Sequence, residues 1–200
     1  IGALKFGEFQ LKSGRISPYF FNMGLFSSGP LIKNIGDFYA AALVSSNINY
    51  DIVFGPAYKG IPIVTALASS LSTSYQLDKP FVYNRKEVKN HGEGGVTVGE
   101  ELRGNVVIVD DVITAGTAIR EAVDIINNAG ATTTGIVISL DRQERGIGDL
   151  SAAKEISNTL NIPVISIVNL DEVIDYIDNN PSDYGQHIDK IKKYREEYGA

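Results

Sequence analysis

Five short runs of β-branched and aliphatic residues recur along the chain with helical patterns between them, and this alternation restricts the fold more than any other feature. The runs are Asp51 to Gly55 (DIVFG), Phe81 to Asn84 (FVYN), Val106 to Asp110 (VVIVD), Gly135 to Leu140 (GIVISL) and Pro163 to Val168 (PVISIV). Their apolar residues are consecutive rather than alternate, as in strands covered on both faces. Ile61 to Ser74 and Thr117 to Asn128 carry helical spacing. The pattern predicts an α/β sandwich, with a mostly parallel central sheet flanked by helices. Ligands of such sheets bind outside the carboxyl ends of the strands, so the residues that follow each run are the place to look for chemistry.

The rest of the sequence narrows the chemistry. No repeat, low-complexity tract or linker divides the 200 residues, so the expectation is one domain over residues 1–200. No apolar run approaches the roughly 20 residues that span a bilayer, so no membrane insertion is expected. The chain has no cysteine, so thiolate nucleophiles, thiolate metal sites and disulfides are excluded. A formal net charge of −6 argues against nucleic acid as a partner. The opening Ile1-Gly2-Ala3-Leu4 lacks a methionine and the layout of a secretory signal, which points to a processed or partly ordered N-terminus and a cytoplasmic address.

The strongest local signal is Val106 to Ala118, VVIVDDVITAGTA, in which a buried run ends in two carboxylates and a loop with two threonines and a glycine precedes a helix. Thr114, Ala115, Gly116 and Thr117 would put backbone N–H groups and hydroxyls at a helix N-terminus, where the dipole favours a phosphate. Asp110 and Asp111 suit the vicinal hydroxyls of a ribose and could lie near a magnesium ion. Singly, such residues more often cap turns and helices. Together they suggest a sugar phosphate.

Four other segments add charge or aromatic surface. Phe54 to Pro62 (FGPAYKGIP) projects Lys59 from a tight turn. Asn84 to Gly95 (NRKEVKNHGEGG) gathers Arg85, Lys86, Lys89 and His91 in an otherwise acidic protein, and reads either as a cationic flap over a leaving group or as a solvated hairpin. Phe6 to Gly24 places Lys12 and Arg15 beside Ser13-Gly14 and then Tyr19, Phe20 and Phe21, a lid over a planar base or ordinary core aromatics. Gly135 to Gly146 (GIVISLDRQERG) delivers Asp141, Arg142, Glu144 and Arg145 past a strand, where an arginine could grip a carboxylate in bidentate fashion or form a surface ion pair. His187 is expected to lie on a solvated C-terminal helix without a role, and a zinc site is not expected.

VVIVDDVITAGTA closely resembles the motif with which type I phosphoribosyltransferases bind phosphoribosyl pyrophosphate (PRPP). NRKEVKNHGEGG, LKSGRISPYFFN and DRQERG are similar to segments of the orotate phosphoribosyltransferase branch. The resemblance runs from about Leu4 to the terminal YREEYG. It implies the type I fold, with a small hood over the site formed by residues 1–30 and C-terminal elements, and a flexible catalytic loop over 85–95. It further implies a homodimer in which the loop Arg85 to Gly95 acts in the neighbouring subunit's site.

By resemblance PRPP would meet Lys12, Tyr58, Lys59, Arg85, Lys86, Lys89, His91 and the run Asp110, Asp111, Val112, Ile113, Thr114, Ala115, Gly116, Thr117 and Ala118. Orotate would meet Phe20, Phe21, Thr114 and Arg142, and catalysis would fall to Lys89, Arg85, His91, Asp110 and Asp111. The implied reaction gives orotidine 5'-monophosphate and pyrophosphate in pyrimidine (UMP) synthesis, with Mg2+ held mainly by PRPP oxygens. The chain has no room for a fused decarboxylase barrel of about 250 residues. Two alternatives remain open. A phosphoribosyltransferase for another base would keep the diacid loop without needing DRQERG or the flap, and a PRPP-sensing regulator would keep the fold without turnover.

Overall fold

The structure, a computed structural model, describes residues 1–11, 13–89, 95–146 and 148–200, with only the backbone of 88, 89 and 183. An N-terminal antiparallel hairpin comprises β1 (Leu4–Gln10) and β2 (Ile16–Phe21). The main sheet comprises β3 (Ile52–Gly55), β4 (Phe81–Lys89), β5 (Gly95–Gly99), β6 (Asn105–Asp110), β7 (Thr132–Asp141) and β8 (Val164–Asn169). Its spatial order is β5-β4-β3-β6-β7-β8, parallel throughout except for the β4–β5 pair.

Helices α1 (Gly29–Ser45) and α2 (Gly60–Tyr75) cover one face, and α3 (Thr117–Asn128) and α4 (Ala152–Leu160) the other. The consecutive apolar residues of β6 explain this layering. Val107 and Val109 pack among Tyr39, Leu43, Ile63 and Leu67 of α1 and α2, while Val106 and Ile108 pack among Ile119, Ile126 and Ile156 of α3 and α4. Side chains alternate across a strand, so only a strand apolar on both faces can join two cores.

A third cluster joins the hairpin to the C-terminal helices. Tyr19 of β2 packs with Leu140, with Leu170, Ile174 and Ile177 of α5 (Leu170–Asn179), and with Ile191 and Tyr194 of α7 (Ile188–Tyr198). A short helix, α6 (Pro181–Tyr184), and a 3-10 turn over Gly185–His187 connect α5 to α7. His187 therefore precedes the last helix rather than lying on it. Its ring stacks on Phe6 at 5.1 Å and is part-buried, which corrects the expectation of a solvated histidine.

The expected helix Thr117 to Asn128 coincides with α3, and the five apolar runs all fall in β3, β4, β6, β7 and β8. The flap differs from expectation. β4 does not stop at Asn84 but continues to Lys89 and pairs with β5. Charged residues read as loop because strands usually bury one face, but an edge ribbon exposed to water tolerates them.

Candidate active site

The strand order reverses between β3 and β6. From β3 the chain moves outward through β4 and β5, then returns to lay β6 on the other side of β3. The loops that leave the carboxyl ends of these two adjacent parallel strands flank one crevice, the usual ligand position in an open α/β sheet.

After β3 the chain turns into α2 through Pro56 to Lys59. The turn is so tight that a Cβ on Gly55 would lie 2.2 Å from the Gly60 carbonyl oxygen, which makes glycine obligatory there. The Ala57 amide donates to Asn84 Oδ1 at 2.8 Å, tying the turn to β4. Tyr58 is 72% exposed, and Lys59 reaches across the crevice to form an ion pair with Asp111.

After β6 come Asp110 and Asp111, both buried. Asp110 Oδ1 accepts the Asp111 amide at 2.9 Å, and Asp111 Oδ1 accepts the Val112 amide at 2.9 Å. Their carbonyls are held from outside the loop. Tyr39 of α1 donates its hydroxyl to the Asp110 carbonyl at 2.7 Å, and Ser139 of β7 donates its amide to the Asp111 carbonyl at 2.9 Å. Burial pushes the Asp110 carboxyl up to about 6, and the neighbouring Asp111 charge adds to the rise. The bond from the Asp111 amide and the cations Lys59 and Lys86 oppose it.

The loop ends at Gly116, which caps α3 with φ 73°, a left-handed conformation open chiefly to glycine. Thr114, Ala115 and Thr117 are exposed. The first turns of α2 and α3 contain no acidic residue, and neither helix has a side-chain cap. By contrast, α4 is capped by Ser151 with Glu155 in its first turn, and α5 by Asn169 with Asp171 and Glu172. An uncapped helix start keeps its N–H groups and positive dipole end available to an anion. Two such starts face this crevice.

At the end of β7, Arg142 lies between the sheet and the hairpin. Its Nε and Nη2 donate to Glu144 Oε1 at 2.9 and 2.5 Å, and Nη2 also donates to Ser17 Oγ at 3.0 Å. The guanidinium carbon lies 4.3 Å from the Tyr19 ring centroid. Tyr19 donates its hydroxyl to the same Glu144 oxygen at 3.2 Å, and burial raises its phenol pKa. Phe20 is 40% exposed, tilted against Phe9 at 5.6 Å, whereas Phe21 packs into the adjoining cores.

Among the described residues no group of three or more His, Cys, Asp or Glu side chains could hold a metal ion. Asp110 and Asp111 are two carboxylates whose oxygens already accept amide bonds. This set fits a hard cation that draws most of its ligands from a bound substrate rather than from a protein cage.

A family model described as the phosphoribosyl transferase domain matches residues 26–171. Orotate phosphoribosyltransferase of Yersinia pestis (strain Pestoides F) is 55% identical over 197 residues, 98% of this chain and 91% of its own length. The chain belongs to the orotate phosphoribosyltransferase family. The crystal structure of orotate phosphoribosyltransferase from Francisella tularensis is 45% identical with a TM-score of 0.89, covering 99% of this chain and 95% of that one. That from Aeropyrum pernix is 27% identical with a TM-score of 0.67, covering 88% and 93%.

Set beside the family's motifs, the residues anticipated from sequence fall into three groups. Tyr58, Lys59, Asp110, Asp111 and the loop Val112 to Ala118 converge on the crevice between β3 and β6. There Ile113 is turned into the core and Val112 packs against the hairpin cluster, so both would meet a ligand through their backbone. Phe20, Phe21 and Arg142 lie at the hairpin side, with Phe20 and Phe21 on opposite faces of the strand end. Lys12, His91 and the Lys89 side chain lie outside the described residues.

Arg85 and Lys86 bond within their own surroundings. Arg85 Nη1 donates to the Thr97 carbonyl at 2.9 Å across the β4–β5 ribbon, and Lys86 is 3.9 Å from Glu121. Tyr39, Ser139 and Ser17 were not anticipated. Tyr39 and Ser17 act through hydroxyls, and Ser139 through both its amide and its hydroxyl, on groups distant in sequence, and the one local hint is a serine inside the apolar run GIVISL.

Proposed function

We infer that this chain transfers the 5-phosphoribosyl group of PRPP to orotate, releasing pyrophosphate and giving orotidine 5'-monophosphate for pyrimidine synthesis. One observation carries the reading: the buried Asp110–Asp111 pair leads directly into the uncapped, acid-free start of α3. Carboxylates for ribose hydroxyls and free amides for a 5'-phosphate thus lie along one short loop.

In this reading a ring nitrogen of orotate displaces pyrophosphate from the anomeric carbon with inversion, through a state rich in oxocarbenium character. Asp110 and Asp111 hold the ribose and stabilise the positive charge that develops on it. Lys59, together with Arg85, Lys86, Lys89 and His91, offsets charge on the leaving pyrophosphate. Lys89 serves as general acid or electrostatic partner. Mg2+, held by PRPP oxygens near Asp110 and Asp111, would neutralise leaving-group charge when bound. The segment Arg85 to Gly95 acts in the site of a second subunit, which makes a homodimer the active unit.

The test is loss of orotate absorbance with PRPP and Mg2+, run beside uracil, adenine and hypoxanthine and beside Lys89→Ala. Turnover of orotate alone, abolished in the variant and by a chelator, is the expected result. Turnover of another base with orotate untouched would overturn the assignment of the base. Mixing Lys89→Ala with Asp110→Asn should restore activity if the ribbon works across subunits. No recovery would make each site self-contained.

A further inference from the structure

Resting on the reading of Arg142 as the group that meets the base, we propose that Glu144, with Ser17 and Tyr19, positions the Arg142 guanidinium and thereby sets selectivity for orotate. A guanidinium has five N–H donors. Three are engaged here: Nε and one proton of Nη2 by Glu144, and the second proton of Nη2 by Ser17. The two on Nη1 take no part in these bonds, and the Tyr194 hydroxyl lies close to both Arg142 and Glu144. The ring of Tyr19 lies over the guanidinium carbon, and the Tyr19 hydroxyl bonds to the oxygen that holds the arginine.

Glu144 is itself held in place. It forms a β-bridge with Gly199, the Arg145 amide donates to the Tyr198 carbonyl at 2.8 Å, and the Ala200 amide donates to the Gln143 carbonyl at 2.9 Å. Arg142 and Glu144 side chains are each only 13% exposed, so water does not compete freely for the pair.

This arrangement revises the grip expected from sequence. Glu144 occupies the Nε/Nη2 edge and Ser17 takes the outer proton of Nη2, so neither two-nitrogen fork is free and Arg142 presents Nη1 in a fixed plane. A base bearing a carboxylate can accept a hydrogen bond from Nη1, whereas uracil would leave that donor without its acceptor. Sites that discriminate strongly do so through that penalty. Holding the side chain beforehand also removes the entropy loss of ordering it on binding.

The test measures KM for orotate and for PRPP, the orotate-over-uracil preference and the Tm in Glu144→Ala, Glu144→Gln, Ser17→Ala and Arg142→Ala. Glu144→Ala should raise the orotate KM roughly 3- to 10-fold, the amount expected for losing one pre-ordered side chain, with a smaller rise in Ser17→Ala. The orotate-over-uracil preference should fall, and the PRPP KM should stay within about twofold. Glu144→Gln, whose amide oxygen can still accept, should recover part of the loss.

A lower orotate KM in Glu144→Ala would make Glu144 a competitor for Arg142 and overturn the proposal. So would an unchanged orotate KM in both Glu144→Gln and Ser17→Ala, the pair that decides if Glu144→Ala does not fold. An orotate KM unmoved by Arg142→Ala would instead sink the underlying reading of the base.

Discussion

The ends of β6 and β7 are neighbouring strand termini that solve their tasks by different means. At the end of β6 the chain builds its cradle from consecutive residues, Asp110 to Gly116, with helix α3 starting at once. At the end of β7 the arginine is held by Ser17 and Tyr19 of the hairpin and by Glu144, which the C-terminal residues fasten. The first end uses backbone amides and strand geometry, which a parallel sheet supplies wherever a loop meets a helix. The second depends on side chains from distant segments. A phosphate is met in similar ways by many chains, whereas a particular base calls for tailored side chains. In the proposed reading, the shared part of the substrate is met locally and the distinguishing part through tertiary contacts.

Substitution at the β6 end should produce the largest effect. Asp110→Asn keeps the shape and can still accept the Asp111 amide, but removes the charge that faces the ribose in the proposed reading. kcat/KM for PRPP should fall on the order of 100-fold, as for other lost transition-state charges. Stability should move the opposite way. The Asp110 carboxyl is pushed up to about 6 from the ordinary 3.8, so between those values the folded protein holds a proton that the unfolded chain has released. Stability therefore falls as pH rises through that window. Above about pH 6 the ionised carboxylate is a burden on the order of 3 kcal/mol, which the asparagine relieves. Denaturant melts at pH 7.5 should thus favour the variant. The wild-type kcat/KM for PRPP should decline below about pH 6 as Asp110 takes up its proton. A flat pH profile there would sever the link between the buried carboxyl and PRPP use.

An intermediate effect is expected at the β7 end from removing residues 198–200. Without Gly199 opposite Glu144, and without the bonds to Gln143 and Arg145, the segment that carries the Arg142 clamp loses its support. The orotate KM should rise several-fold to about tenfold while the PRPP KM holds, because only the base end uses this tail. If both constants rise together, the two ends are coupled and the contrast drawn above fails. A smaller change, read in stability, should follow from Gly116→Ala. Its φ of 73° and the approach of a Cβ to Ile156 Cδ1 at 2.5 Å should cost about 1–2 kcal/mol by thermal melts. PRPP binding should weaken alongside, since the strained residue sets the aim of the α3 amides.

The same division explains what could be read from the sequence. Continuous apolar runs revealed the buried parallel strands because a strand covered on both faces has no polar alternation, and VVIVDDVITAGTA placed the strand end, diacid loop and start of α3 because all of it is contiguous. The hairpin β1–β2 pairs Leu4 with Phe21 and Phe9 with Ser17, but no periodicity in FGEFQLKSGRISPYFF distinguishes it from loop. A two-nitrogen grip by Arg142 was expected from its chemistry alone, and the structure instead engages Nε and Nη2 within the protein. The Arg142 bond to Ser17 arises only when the hairpin folds against α5 and α7. Likewise β4 extends to Lys89 because an edge ribbon can be polar, so charge density there could not mark the strand's end.

Tyr39 offers the finest comparison of the two ends, because it supports the β6 end in the way Ser17 supports the β7 end. It is fully buried in α1, and its hydroxyl donates to the Asp110 carbonyl, fixing the peptide on which the carboxylate pair is mounted. Tyr39→Phe removes that hydroxyl and leaves the ring in place, so the Asp110 carbonyl loses a buried donor without a cavity forming. Stability should fall by about 1–2 kcal/mol, the usual consequence of leaving one buried group unsatisfied. The PRPP KM should rise a few-fold, on the order of a half to one kcal/mol, with the orotate KM unchanged. Ser17→Ala should show the converse pattern, a change in orotate KM with PRPP unaffected. Crossed results, with each hydroxyl moving the constant of the other substrate, would mean that the diacid peptide and the arginine clamp form one connected network.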